Sequence, residues 1–279
     1  MSAWSRRVVQ IERWSATLAG IGFGLVLAFI GNHVSETQVP WVAILALVCW
    51  VFAVLVRRFL PKRIEVTTRT PLSLRNEHEC AANARQAYIG FVPLYTPKYG
   101  ASGAKLTAEE RKEAVKLLDF DRLNLEDSNL EPTITAIVCH KSRLEHCWLL
   151  STVDAAGEGS SQYAELLAEY LRQRKGVKCI FHCGSQYTIN LDDDALVFDK
   201  TYQKVRDVIQ EAKGARIPAK EMVADISTGV RSMTIGMVLA CLDGDQDVEV
   251  VGTRYDANGH PTGPLFPLIF RFKPEIQET

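Results

Sequence analysis

The sequence predicts an α/β protein carried on a two-helix transmembrane hairpin, on three observations. Two charge-free apolar runs stand near the amino terminus, strand and helix patterns then alternate four times, and a two-strand hairpin closes the chain. Such alternation gives a mainly parallel sheet with helices on both faces, here finished by antiparallel strands.

The first apolar run, Trp14 to Ser35, reads WSATLAGIGFGLVLAFIGNHVS, and the second, Thr37 to Val56, reads TQVPWVAILALVCWVFAVLV. Only Glu36 is charged between them. A bilayer span needs about 20 apolar residues, so each run is long enough, and spans at about 14–34 and 39–56 make a hairpin domain over 1–63. A signal peptide fits less well, because the run is long, a second follows at once, and no cleavage site ends the first. Arg6, Arg7 and Arg13 precede the hairpin, while Arg57, Arg58, Lys62 and Arg63 follow it. By the positive-inside rule both termini and the soluble part are cytoplasmic, with the NHVSETQ loop outside. Trp14, Trp41 and Trp50 suit membrane interfaces. Ala16, Gly20, Gly24 and Ala28 recur every four residues, a face of small side chains that lets helices approach closely in lipid. Its partner is either the second span or another copy of the chain. The GIGFG run lies inside a span with no strand before it, so it is not a nucleotide-binding turn.

The chain of 279 residues has 32 basic and 33 acidic side chains, a formal charge of −1. That balance excludes a long nucleic-acid tract, which needs a basic excess. Seven cysteines form an odd set without paired spacings, which predicts free thiols in a reducing cytosol rather than a disulfide framework.

Residues 64–84 read as a basic, polar linker, and 85–279 as the soluble domain. AYIGFVPLY (87–95) is a buried strand ending at Pro93, and TPKYGASGAK is a loop. Thr107 and Glu110 form a capping box that opens a helix to about Leu118. A further helix crosses EPTITAIVCHKSRLEHC, with Ile134, Ile137, Val138 and Leu144 on one face and Pro132 in its first turn. Strand 148–152 leads to helix 161–174, stopped by Gly176. Strand 177–183 leads to a helix from about Asp194 to Lys213, and strand 222–227 to helix 230–242. VEVVGTRYD and PLFPLIFRF then pair across ANGHPTG, with Asn258-Gly259 marking the turn.

Ligands of open α/β sheets bind beyond the carboxyl ends of the strands. Here those ends are Pro93–Thr96, Ser151–Thr152, Gly184–Tyr187 and Ser227–Ser232, all rich in small or hydroxyl residues. The last also supplies a helix N-terminus, whose free N–H groups and dipole, with Arg231, suit a phosphate. Helix capping alone requires one side chain and leaves Arg231 unexplained. There is no glycine-lysine phosphate loop and no GxGxxG after a strand. In CIFHC, Cys179 and Cys183 share a strand face while His182 points away, which favours core packing over metal. His140 and His146 read as helix surface, and Asp192–Asp194 as a cap or solvated face. No Ser/His/Asp or Cys/His constellation assembles, so no catalytic residue, metal or cofactor is expected.

DISTGVRSM (225–233) resembles the turn after the fourth strand of the CRISPR-associated Rossmann fold (CARF) family. Asp225, Thr228 or Ser227, Gly229, Arg231 and Met233 match, while Val230 stands where the family has a small residue. The resemblance extends over strand order and terminal hairpin, about residues 85–274. It implies a homodimer that binds a cyclic oligoadenylate across its two-fold axis, cyclic tetra-adenylate being the favoured ring. Carried over by position, Pro93, Leu94, Tyr95 and Thr96 form the first-strand loop, with Thr152, Ser185, Gln186 and Tyr187 nearby. Gly229, Arg231 and Ser232 hold phosphates, beside Ser227 and Thr228.

With a membrane hairpin as its other module, the chain is similar to membrane-linked CARF effectors of type III CRISPR immunity. The implied location is the prokaryotic cytoplasmic membrane. The expected function is to sense the cyclic ligand as a dimer or higher oligomer and rearrange the spans, permeabilising the membrane. Two alternatives stay open: a membrane-tethered phosphodiesterase that cleaves the ring, for which no general base is evident, and a passive membrane-anchored scaffold.

Overall fold

The computed structural model describes residues 63–68 and 71–277, apart from 155 and 259. The expected spans and their small-residue face lie outside the described residues. Among the described residues no helix is long and apolar enough to cross a membrane. The chain divides into two units, and the fold below is that of Ile64–Gln277.

The expected linker over 64–84 holds elements of its own: strand β1 (Arg63–Thr68), strand β2 (Leu72–Ser73) and helix α1 (Glu77–Asn83). Asn76 caps α1 by accepting the Glu79 N–H at 2.9 Å. These pieces are too short to show a period, so the sequence alone gave no sign of them. Strand β3 (Ala87–Phe91) is buried at every position, as a central parallel strand must be. The Thr107–Glu110 capping box opens helix α2 (Ala108–Lys116) as expected, and a one-turn helix α3 (Phe120–Leu123) follows.

Helix α4 (Glu131–His140) is shorter than the predicted element, and Leu144 belongs to the turn after it. Strand β4 (His146–Val153) leads to helix α5 (Ser161–Lys175), which ends at Gly176. The strand expected over 177–183 is the shorter β5 (Ile180–His182), and the loop expected after it holds a further short strand, β6 (Thr188–Asn190). Helix α6 (Asp194–Gly214), strand β7 (Met222–Asp225) and helix α7 (Arg231–Gly244) come next. Strands β8 (Asp247–Tyr255), β9 (Pro261–Phe270) and β10 (Phe272–Gln277) close the chain.

The main sheet runs β2-β9-β8-β7-β3-β4-β5, with β6 also on β4. The pairs among β3, β4, β5, β6, β7 and β8 are parallel, while β8–β9 and β9–β2 are antiparallel. A separate two-stranded sheet joins β1 to β10. The chain is therefore α/β with a mainly parallel mixed sheet, compatible with a Rossmann-like fold. The order of its parallel strands reverses between β3 and β7, and the carboxyl ends of strands at such a switch point leave a crevice.

Alternate strand residues feed two cores. Tyr88, Cys147, Leu149 and Val223 pack against α2, α4 and α5, while Ile89, Phe91, Trp148, Leu150 and Ala224 pack against α6 and α7. Fully burying one such apolar side chain stabilises by about 1.5–3 kcal/mol. A third, small cluster of Leu74, Cys139 and Ile269 lies beneath α1.

Two sequence expectations are corrected here. Cys80 and Cys139 form a disulfide between α1 and α4, although free thiols were expected; their separation of 59 residues leaves no local spacing to reveal the pair. Cys147, Cys179, Cys183 and Cys241 are free. His140 is no surface residue: it is wholly buried, accepts the Arg85 N–H at Nδ1 (3.2 Å) and meets Glu249 Oε2 through Nε2 (2.9 Å). Accepting at Nδ1 places the ring proton on Nε2, which donates to the carboxylate. His146 opens β4 instead of lying on a helix, and its Nδ1 meets His182 Nε2 at 2.9 Å.

Candidate functional site

The turn after β7 is built on a buried acid. Asp225 is fully buried at the end of β7, directly opposite Glu249 of β8, which is also fully buried. Its carboxylate accepts the Ser227 N–H at 2.8 Å, the Ser227 hydroxyl, and the Tyr88 hydroxyl at 2.7 Å. Tyr88 reaches across because Gly90, two residues on along β3, has no side chain: a Cβ there would stand 2.6 Å from the tyrosine ring. Burial pushes the Asp225 carboxyl up to about 7, the facing Glu249 adds to the rise, and the hydrogen bonds from Ser227 and Tyr88 oppose it.

The two hydroxyls of the turn serve the fold. Ser227 Oγ accepts the Val251 N–H at 2.7 Å, binding the turn to β8. Thr228 Oγ1 donates to the Phe91 carbonyl at 2.7 Å, binding it to β3 across the switch point. Gly229 then takes φ +100°, which side chains rarely permit, and a Cβ there would meet the Phe91 ring at 2.8 Å. Val230 is extended and caps α7 with no side-chain hydrogen bond, so the helix dipole and its first N–H groups face outward uncapped. Gly229, Val230 and Arg231 are exposed and Ser232 is half-buried. Among the described residues Arg231 forms no hydrogen bond and no ion pair.

The loop after β3 borders this turn. Asn129 clips it, accepting the Thr96 N–H at Oδ1 (2.8 Å) and donating from Nδ2 to the Leu94 carbonyl (2.6 Å). Leu94 and Thr96 face solvent, Pro93 is half-buried, and Tyr95 points inward with its hydroxyl on the Leu123 carbonyl. Asn129 escapes sequence analysis because it precedes α4, far along the chain, in a segment with no period.

The remaining predicted residues are spread along the sheet. Thr152 lies on β4, two strands from β7 and so about 10 Å away at the usual strand spacing. Its hydroxyl meets Ser160 Oγ at 3.1 Å. Ser185–Tyr187 form a 3-10 turn between β5, which pairs with 146–148 of β4, and β6, which pairs with 151–153. That turn follows the carboxyl end of β5 and runs beside the middle of β4 at the sheet's far edge. Ser185 and Gln186 are exposed, whereas Tyr187 is buried with its hydroxyl 2.9 Å from Glu211 Oε1. The structure thus brings together 93–96 and 227–232, and leaves Thr152 and 185–187 progressively further off.

No protein-family model and no curated protein matches the chain.

Beside Arg231, the outer face of α7 is apolar: Val230 is 46 %, Ile235 55 % and Leu239 43 % exposed. The opposite face, with Met233, Met237 and Cys241, is in the core, so this helix is apolar nearly all round. A helix of that kind is normally covered on both sides. In the CIFHC segment His182 stacks on Trp148, ring centroids 4.4 Å apart and 8° from parallel. Among the described residues no group of three or more His, Cys, Asp or Glu is arranged to hold a metal ion.

Proposed function

We propose that the chain is a membrane effector of type III CRISPR defence that binds a cyclic oligoadenylate at the crevice between the ends of β3 and β7. The observation that carries this reading is Arg231, without a partner among the described residues, in the first turn of a helix whose N-cap makes no side-chain hydrogen bond, held at the switch point by a glycine turn. A phosphate there gains backbone N–H donors, the positive end of the dipole and a guanidinium that no other described residue engages. Leu94 and Thr96, on the clipped loop of β3, are placed to border the nucleoside portions. The similarity of DISTGVRSM to the CARF turn supplies the ligand class, with cyclic tetra-adenylate favoured.

The reading includes self-association. A second copy laid against Val230, Ile235 and Leu239 covers the apolar face and brings a second Arg231 close to the first, as a two-fold ring requires. Ligand binding then changes how the copies pack and, through residues 1–63, the arrangement of the spans, so that the membrane depolarises. The chain acts on the membrane without catalysis, and its location is the prokaryotic cytoplasmic membrane with both termini inside.

The test is a potential-sensitive dye in cells that make the cyclic ligand, with wild type and Arg231→Ala at matched membrane abundance. Depolarisation by wild type alone supports the proposal. No depolarisation by wild type, with linear products of the ring accumulating, favours the phosphodiesterase. No depolarisation and no cleavage favours the scaffold.

A further inference from the structure

We infer that the Cys80–Cys139 disulfide is a thiol-exchange site: low-molecular-weight thiols reach it through the cleft between α1 and α4, and its reduction frees α1 from the domain.

Helix α1 has no buried side chain, so apolar burial gives it little hold. Its capping bond from Asn76 and the bond from Asn83 Nδ2 to the Glu79 carbonyl (2.9 Å) both lie within the segment itself. A helix of seven residues does not persist on such bonds in water. The residues before it are held independently: Leu72 and Ser73 pair with β9, and the Leu74 N–H donates to the Pro267 carbonyl at 2.9 Å. The residues after it are anchored too: Ala84 and Arg85 are buried, and Arg85 Nη1 donates to the Asn83 carbonyl at 3.1 Å. Between these anchors, among the described residues, the link to Cys139 is the one bond from residues 77–82 to the rest of the domain.

Both cysteines line an open cleft of about 490 Å³, floored by Leu74, Ile134 and Pro267. Arg75, Lys141 and Lys175 line it against two acids, Glu77 and Glu126, and Lys175 is paired with Glu126. Neighbouring cations favour both an approaching thiolate and the thiolate that leaves. The cations flanking the hairpin predict a cytoplasmic domain, and disulfides of mesophile proteins in that compartment are usually transient and redox-responsive. Cys139 is buried and Cys80 half-buried, so the cleft meets the bridge on the Cys80 side.

The chemistry balances with two equivalents of thiol. A thiolate attacks one sulfur, forming a mixed disulfide and expelling the other cysteine as thiolate, which takes up a proton. A second thiolate attacks the small-molecule sulfur of the mixed disulfide, releasing the second cysteine and a symmetrical disulfide. Two electrons pass to the protein and two protons follow. The inference rests on the cytoplasmic location in the proposed function but needs no ligand at the β3–β7 crevice, so a failure of ligand binding leaves it standing.

The test uses the full chain in detergent, purified without reductant. Free thiols are blocked, reduced glutathione is added without denaturant, newly freed thiols are labelled with a heavier alkylating reagent, and amide exchange is followed by mass spectrometry. The expected result is new label on Cys80 and Cys139 alone. Amide exchange over 77–83 should rise by roughly tenfold or more, while β3 and β4 stay unchanged. Cys80→Ser should show the fast exchange without glutathione, and Cys139→Ser should agree with it. The proposal is overturned if Cys80 and Cys139 are already alkylated in the first step, if label enters only after denaturation, or if exchange over 77–83 is the same in all forms.

Discussion

The hydroxyl of Thr228 donates to the carbonyl of Phe91 at 2.7 Å, joining the ends of β7 and β3 where the strand order reverses. That bond fixes the spacing of the two loops that meet at the switch point. Thr228→Val keeps the shape and removes the donor, leaving the Phe91 carbonyl without it. We expect a loss of about 1–2 kcal/mol in stability, read as a lowered urea midpoint, and a several-fold weaker ligand affinity. Unchanged values for both would show that the bond does not frame the site.

Gly229 combines φ +100° with close contact to the Phe91 ring. Gly229→Ala must either strain the backbone or push the ring aside, at a cost of roughly 1–3 kcal/mol. Because the turn aims the α7 N-terminus, affinity should fall together with stability. A variant as stable as wild type would show that the turn relaxes freely.

Asp225 predicts a pH dependence. Its carboxyl stands at about 7 in the folded protein, raised by burial first and Glu249 second, against about 3.9 for an unfolded aspartate. Between those values the folded state holds more protons than the unfolded one, so stability falls as pH rises. The penalty is absent below about pH 4 and complete above about pH 7, amounting to about 4 kcal/mol at most. Asp225→Asn abolishes the titration, although it weakens acceptance from Ser227 and Tyr88. Urea midpoints of wild type and variant, compared from pH 4.5 to 7.5, should therefore converge or cross in the variant's favour as pH rises. Parallel curves would contradict a titrating Asp225.

Much of this architecture is legible in the chain because its signals are local. The Thr107–Glu110 capping box, the Gly176 stop and the β8–β9 hairpin each depend on a few consecutive residues, and each stands where the sequence places it. Long-range pairings are not legible in this way. The bond between Cys80 and Cys139, the acid-histidine contact of Glu249 with His140, and the hold of Asn129 on the β3 loop join residues that no periodicity connects. The polar cluster after β7 was visible, but its division of labour was not. Asp225, Ser227 and Thr228 turn out to brace the turn, and Arg231 is left facing outward. The strand expected over 177–183 is present in shortened form as β5, whereas β6 escapes the sequence because its three residues, after Gly184 and the 3-10 turn at 185–187, are too few to show a period, although β4 accepts both.

The topology is open to a direct check. Ser35→Cys should react with an impermeant maleimide added to intact cells, or to spheroplasts where an outer membrane intervenes. Cys179 and Cys183, the half-buried free thiols of the soluble unit, should react only after lysis. Labelling of Cys179 or Cys183 in intact cells would place the domain outside and contradict a cytoplasmic sensor.

The central claim is that Arg231 at the head of α7 receives a phosphate of a cyclic oligoadenylate. Isothermal titration calorimetry of the full chain in detergent against cyclic tri-, tetra- and hexa-adenylate tests it most directly, with wild type beside Arg231→Ala. We predict that one ring, the tetra-adenylate, binds wild type at about one ring per two chains. Arg231→Ala should weaken it by about ten- to a hundredfold per contact, the loss of a charge-assisted hydrogen bond of about 1.5–3 kcal/mol. Failure of every ring to bind wild type, or equal affinity for wild type and Arg231→Ala, would contradict the account.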